Sequence, residues 1–384
     1  MSAYPVIDAD GHIIEIDQEV RRRMEPPYDR WSGPISHTEP WDIRLFGTLP
    51  EAHFPDEPTA QDWLTIMDRH KIEVSYLYPT RMLSASTIKD PRMAVRLCRA
   101  YNEYAHDEYT KVSPRLKPLA LISNQDPAEG ARELNRAVKK FGCPGGFLAT
   151  TGLRFPLGHH FYDPIYEEAN RLGCVIAVHG ARNHPHELGA GTFETFSEVH
   201  AVGFAVGVIA QFTNVINEGI PDRFPNLRLA FLEIGCTWLP YWLDRMDEHW
   251  KKRGAVEHPD LKRPPSECTR ERPVYFSIEA EETLLPETIK YLGDSHFVYA
   301  TDIPHWDCEF PENLEGLAQR SDLSTEVKEK ILYRNARALI ITNYPHPSLL
   351  SRGSAVVAMR CSPIDPRKSP PGPSFSKRGT AMEL

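Results

Sequence analysis

Val6-Ile7-Asp8-Ala9-Asp10-Gly11-His12 begins as a short apolar run and ends in two carboxylates and an imidazole spaced two residues apart. Side chains on a strand alternate between faces, so Asp8, Asp10 and His12 share one face if the strand runs that far. Buried without partners, such groups carry a heavy desolvation penalty. A cation at the strand end removes that penalty. The competing reading has the two acids capping a loop with His12 packed beside them.

Outward from this stretch, short β-rich runs alternate with longer amphipathic ones. The spacing predicts strands over 5–8, 74–79, 116–122, 145–149, 174–179, 227–233, 273–278 and 297–300. Between them, 61–71 places Trp63, Leu64, Met67 and His70 on one helical face, and 90–112 opens with Asp90-Pro91, an N-cap followed by proline at the first helical position. The segments 127–141, 163–172 and 324–340 follow the same pattern. Each strand is too apolar to have a wet face, which indicates parallel β covered on both sides. Eight such units predict an α/β fold, a closed (β/α)8 TIM barrel. A doubly wound open sheet is the alternative, but no Gly-rich phosphate loop follows the first strand.

At 384 residues, the chain is long for one ordinary domain but suits such a barrel with insertions. Hydrophobic residues at 41% and charged residues at 25% fit a globular enzyme. The formal net charge of −9, with no clustered basic face, argues against nucleic acid as a partner. The 7 cysteines are scattered and form no C-x-x-C pair, a pattern of reduced thiols rather than a disulfide framework. No secretory leader is visible and no apolar run reaches about 18 residues, so a cytoplasmic protein without a membrane partner is expected. Residues 1–345 read as one catalytic barrel, with the proline-rich 24–58 as an inserted loop of the kind that shapes a binding site. Residues 346–384 read as a flexible Pro/Ser-rich extension outside the core.

In a barrel, chemistry gathers at the C-terminal ends of the strands. Strand 1 delivers Asp8, Asp10 and His12 there, and strand 5 delivers His179, with Arg182 just beyond. Strand 6 delivers Glu233, strand 7 Ser277 and Glu279, and strand 8 Asp302 with His305 following. One ligand-type residue at a strand end is ordinary, and a lone histidine there is more often a packed one. Four strands converging on one rim are different, because strands 1 and 8 are neighbours and strand 5 lies across the axis. Asp10, His12, His179 and Asp302 thus offer two imidazoles and two carboxylates to a divalent ion, with zinc the first choice and manganese or iron open.

These pieces, Ile7-Asp8-Ala9-Asp10-Gly11-His12, Val178-His179-Gly180, Arg223-Phe224-Pro225-Asn226-Leu227 through Trp238-Leu239-Pro240, and Thr301-Asp302-Ile303-Pro304-His305, resemble the amidohydrolase superfamily. The resemblance is to its amidohydrolase-related group, which includes aminocarboxymuconate-semialdehyde decarboxylase and resorcylate-type decarboxylases. It covers roughly residues 4–345, with the pieces in the right order at the ends of strands 1, 5, 6 and 8. It implies that Asp10, His12, His179 and Asp302 are the metal ligands, with Asp302 also handling a proton, and that His305 lines the pocket. Two departures stand out. Many relatives have His-x-His or Glu-x-His where this chain has Asp10-x-His12, and decarboxylating relatives place a histidine where this chain has Glu233. A carboxylate facing a substrate carboxylate repels it unless protonated or metal-bound. Glu233 is therefore either a fifth ligand or a general acid/base.

The remaining candidates carry plainer alternatives. Asp8 could accept from His12 or simply cap the strand end, Arg182 could clamp a substrate carboxylate or stay solvated, and His200 could reach the site from the loop after strand 5. His184 and His186 share that loop. Adjacent His159 and His160 diverge and make a poor metal pair. Trp238, Tyr241, Trp242 and Trp250 have near-helical spacing, as core or as a contact in a homo-oligomer, a dimer or tetramer.

The first functional reading is a metal-dependent hydrolase of a C–N, C–O or activated C–C bond in a small carbonyl- or carboxylate-bearing substrate. In that reading His179 and Glu233 join Asp302 in the catalytic set, and Asp302 takes a proton from water activated by the ion. The alternative is a non-oxidative decarboxylase of an aromatic or unsaturated carboxylic acid. A barrel without activity, serving as a binding protein, is the third reading.

Overall fold

The structure is a computed structural model that describes residues 5–30, 58–181, 189, 191–305 and 307–340. Among the described residues, nine stretches of strand, all paired in parallel, form two hydrogen-bonded sets: β1 (Val6–Ile13), β2 (Ile72–Pro79) and β3 (Leu116–Pro118), then β4 (Ala120–Leu121), β5 (Gly145–Ala149), β6 (Val175–His179), β7 (Arg228–Phe231), β8 (Val274–Ile278) and β9 (Phe297–Tyr299). β3 and β4 are halves of one barrel strand. Its first half pairs with β2, its second half pairs with β5, and the Leu119 N–H between them donates to Leu77 O at 2.9 Å. The ring closes where the Asp302 N–H donates to Asp10 O at 2.8 Å and the His12 N–H donates to Ile303 O at 2.7 Å. Eight staves alternating with helices make the (β/α)8 barrel that the apolar runs predict.

Burial follows from composition. Every residue of β1, β5, β6 and β8 is buried, as strands covered on both faces must be. The helix Ala60–His70 starts at a capping box between Thr59 and Asp62 and turns Trp63, Ile66 and Met67 inward. Asp90 caps Pro91–Ala105 and Asp126 caps Pro127–Arg136, each with proline in the first turn. The predicted helices 90–112, 127–141 and 324–340 each contain a π-helical turn, at His106–Thr110, Ala137–Phe141 and Lys330–Arg334, where the hydrogen-bond ladder widens by one residue.

Three expectations change. The first strand runs on to Ile13, so Asp10 and His12 lie within it. The region after β6, read as a loop to about 200, leads into a 22-residue helix, Phe196–Asn217. Contrary to the absence of long apolar runs, Ser197–Asn217 has a mean hydropathy of 1.6 and is long and apolar enough to cross a membrane. Here it packs on the barrel, with Val208, Phe212, Val215 and Ile216 fully buried, and its polar groups are used within the fold. Gln211 Oε1 accepts from the Leu157 N–H at 2.9 Å and Asn214 Oδ1 from the Gly158 N–H at 2.6 Å. Beside it, Trp238, Trp242 and Trp250 pack against the core while Tyr241 is exposed. The six described cysteines are unpaired thiols. His159 stacks on Phe155 and His160 pairs with Asp163, so the two rings go separate ways. Most of 24–58, and all of 346–384, lie outside the described residues.

Glu15, fully buried just past β1, fastens the loop after β2. Its carboxylate accepts from the N–H groups of Thr80 at 3.2 Å, Arg81 at 2.8 Å and Met82 at 3.0 Å, although burial pushes its pKa up. Replacing Glu15 by alanine strands the buried Met82 N–H and the partly buried ones of Thr80 and Arg81, and is expected to lower stability by about 2 kcal/mol, seen as a lower melting temperature. An unchanged melt would show that water replaces the carboxylate there.

Candidate active site

β1 carries the first two site residues on a strand that is irregular by design. Asp8 pairs with Ser75 of β2 and Gly11 with Leu77, three steps against two, so β1 bulges between them. A Cβ on Gly11 would sit 2.6 Å from the Trp63 ring and 2.8 Å from Asp8 Oδ2, which explains the glycine there. Asp8 does not serve His12. Its oxygens accept from Ser75 Oγ at 2.5 Å, from the Thr301 N–H at 2.9 Å and from Thr301 Oγ1 at 3.0 Å, tying β1 to both neighbours. Burial pushes Asp8 up to about 6 against these bonds.

His12 instead donates from Nδ1 to Pro79 O at 3.1 Å, and His179, the last residue of β6, donates from Nδ1 to Gly180 O at 2.8 Å. A carbonyl only accepts, so in the neutral ring each Nδ1 holds the proton and each Nε2 presents a lone pair. Both Nε2 atoms point at carboxylates. His179 Nε2 lies 3.4 Å from Asp10 Oδ1 and 3.2 Å from Glu233 Oε1. His12 Nε2 lies 3.6 Å from Asp10 Oδ1, 3.6 Å from Glu233 Oε1 and 3.3 Å from Asp302 Oδ1.

Glu233 and Asp302 reach this point from strained backbone. Glu233, two residues past β7, has φ 82°, and Asp302, three past β9, has φ 56°. A left-handed conformation is costly for a side chain other than glycine or asparagine, and it persists where the surroundings enforce it. Here the Glu233 N–H donates to Ser277 Oγ at 2.9 Å and that of Asp302 to Asp10 O at 2.8 Å.

Asp10 Oδ1, His12 Nε2, His179 Nε2, Glu233 Oε1 and Asp302 Oδ1 are buried atoms that make no hydrogen bond among the described residues. Five acceptors facing one another are untenable without positive charge. In the metal-free chain that charge is protons: neighbouring carboxylates raise His12, against its burial, to about 10, and raise His179 as well. A divalent ion supplies the same charge. Donors about 2.1 Å from a common ion stand roughly 3.0–3.4 Å apart, near the 3.2–3.6 Å between the imidazoles and their carboxylates. The ligand atoms fall into two overlapping groups within 4.8 Å, Asp10, His12, His179 and Glu233, then His12, Glu233, Asp302 and His305. The residues present therefore fit a divalent metal.

A cavity of about 260 Å³ opens over the cluster. Its walls add Glu279, Glu281, Asp307 and Glu309, and His200 is the only basic side chain among the described lining residues. Partial burial and the Asp302 carboxylate push Asp307 up to about 7, and His200 Nε2 lies 3.6 Å from its Oδ2. His305 does not line this cavity. Its Nδ1 approaches Asp302 Oδ1 at 2.7 Å, poorly aligned, and its Nε2 meets Thr80 Oγ1 at 3.2 Å, so it braces Asp302 rather than facing substrate. Arg182, His184 and His186 lie outside the described residues. Of this acidic wall the sequence marked only Glu279, at the end of strand 7, because the other members come from two loops and no spacing links them.

Fold and site together define a metal-binding (β/α)8 enzyme. The chain belongs to the amidohydrolase family, whose model matches residues 7–340. It is 24% identical over 288 residues, 72% of this chain and 86% of the other, to gamma-resorcylate decarboxylase of Polaromonas sp. (strain JS666 / ATCC BAA-500). The solved 5-carboxyvanillate decarboxylase of Sphingomonas paucimobilis superposes with a TM-score of 0.67 at 19% identity, covering 88% of this chain and 98% of that one. The 5-carboxyvanillate decarboxylase of Novosphingobium aromaticivorans, solved with manganese and 4-hydroxy-3-methoxy-5-nitrobenzoic acid, gives 0.67 at 20% identity, covering 88% and 96%. These relatives side with the decarboxylase alternative over the hydrolase expected first.

Proposed function

We propose that the chain is a metal-dependent carboxy-lyase that releases CO₂, without oxidation, from a small hydroxylated aromatic or unsaturated carboxylic acid. The observation that carries the reading is the convergence of five unpartnered buried acceptors beneath a cavity large enough for one substituted ring. The likeness to gamma-resorcylate and 5-carboxyvanillate decarboxylases supports the reaction class. Manganese moves ahead of zinc, because a related decarboxylase was solved with manganese bound. The free cysteines suit a reducing, cytoplasmic setting.

When bound, the ion supplies Lewis acidity and a docking point for the substrate's carboxylate and adjacent hydroxyl. Asp10, His12 and His179 hold fixed positions, their rotamers locked by burial and by the Pro79 and Gly180 carbonyls. Asp302 is the proton carrier. Its side chain is 31% exposed against 2% for Asp10 and 9% for Glu233, so it is the most open of the three carboxylates that line the cavity. Against its burial, His305, 2.7 Å away, holds Asp302 below the usual carboxylate range, so Asp302 relays a proton rather than storing one and passes it to the ring carbon that bears the carboxylate. The bond to the carboxylate then breaks, its electron pair restores the ring, and CO₂ leaves with a hydrogen in its place. Proton and charge balance, and no oxidant is required.

Hydrolysis is the second reading, favoured by the wall of Glu279, Glu281, Asp307 and Glu309. Such a wall suits a neutral or cationic substrate better than an anionic one. Incubating manganese-loaded protein with hydroxybenzoates, and separately with amides and lactones, distinguishes the two. CO₂ release with loss of the substrate carboxylate is expected. Acid release from amides or lactones with no CO₂ from any acid would overturn the first reading.

A further inference from the structure

The sequence leaves Glu233 open between ligand and acid/base, and the geometry points to one answer. We propose that Glu233 is a protein ligand of the divalent ion, the one carboxylate shared by the two groups whose ligand atoms lie within 4.8 Å of one another, Asp10, His12, His179 and Glu233 on one side and His12, Glu233, Asp302 and His305 on the other. The inference rests on the reading of a metal centre but not on which bond the enzyme breaks.

Three observations carry it. Glu233 Oε1 stands 3.2 Å from His179 Nε2 and 3.6 Å from His12 Nε2, between the two ring nitrogens whose lone pairs are turned inward. A carboxylate oxygen set against two imidazole lone pairs is repelled unless protons or a cation lie between them, and ligation satisfies all three atoms at once while leaving the imidazoles neutral. The second observation is access. Glu233 and Asp302 both line the cavity, but the Glu233 side chain is 9% exposed with its Oε1 buried and without a hydrogen bond, against 31% for Asp302, so Asp302 is the better placed of the two to carry a proton. The third is the backbone. φ is 82° at Glu233 and 62° at Gly235, in a turn fixed by Ser277 Oγ at the Glu233 N–H and by Glu282 Oε1 at the N–H groups of Cys236 and Thr237, each 2.8 Å. A strained, tightly held turn that aims one oxygen at a fixed point suits a ligand, which must not move, better than a group that shuttles protons.

A chemical consequence follows. With Glu233 a ligand, carboxylate oxygens would make up at least half of the donors, a set that would suit an oxygen-preferring ion of the manganese(II) class.

Manganese(II) titration followed by electron paramagnetic resonance, with metal analysis after gel filtration, tests this directly on the full chain. Wild-type protein is expected to bind one ion, and Glu233→Ala to bind it at least about 100-fold more weakly. Glu233→Gln keeps the shape of the turn, so it controls for misfolding, and it is expected to weaken binding and alter the manganese spectrum. Both variants should melt like the metal-free wild type. Wild-type affinity and spectrum in both variants, with turnover lost, would overturn the assignment and make Glu233 an acid/base. A wild-type chain that takes up no ion would sink the metal centre itself, a result separable from the first.

Discussion

Replacing Asp302 by asparagine is expected to lower kcat by about a thousandfold or more while the fold stays intact. Asparagine keeps the shape of the side chain and can still offer one oxygen, but it holds no transferable proton. Two features make the substitution clean. Asparagine tolerates the left-handed backbone that Asp302 adopts at φ 56°, so no new strain is introduced. The N–H that closes the barrel onto Asp10 O at 2.8 Å is untouched. Turnover is to be measured at saturating manganese, with bound metal determined alongside, so that lost ion is not mistaken for lost proton transfer. Wild-type turnover in Asp302→Asn would remove Asp302 from the chemistry and leave the exposure argument without support.

His179→Ala is expected to abolish both activity and metal retention. The imidazole is fully buried, stacked on Tyr78 at 5.2 Å, and stands between Asp10 Oδ1 and Glu233 Oε1 at 3.4 and 3.2 Å. Alanine deletes one donor and leaves two carboxylates facing each other across a void, so the site loses a ligand and gains repulsion. The expected bound metal after gel filtration is below about a tenth of an equivalent, against about one for the wild type. An activity loss with full metal content would mean that His179 acts on substrate rather than on the ion.

The barrel was legible because its signal is local. Eight apolar runs between turn-rich segments place eight parallel staves, and proline behind an aspartate marks two helix starts at Asp90-Pro91 and Asp126-Pro127. Asp10, His12, His179 and Asp302 were legible for the same reason, since a barrel brings strand ends to one rim. The helix Phe196–Asn217 was not, because it is apolar all round and offers no contrast between faces. Asp8 was misread toward His12 because strand alternation assigns a face but not a partner, and the bulge before Gly11 puts Ser75 and Thr301 within its reach. His305 was read as facing substrate, whereas its position against Asp302 and Thr80 depends on contacts made across the barrel mouth. Glu233 was visible as a residue but not as a geometry, since the turn that aims it is set by Ser277 and Glu282 from a later strand and loop.

The central claim is that the buried acceptors of Asp10, His12, His179 and Glu233, with Asp302 beside them, are held together by a divalent ion at the mouth of the barrel. Metal analysis of the purified chain, after manganese loading and gel filtration, tests that claim most directly. About one equivalent per chain, removed by a chelator together with CO₂ release and restored with it, is the predicted result. Uptake below about a tenth of an equivalent from any divalent ion offered would contradict the account and leave the barrel as a binding protein.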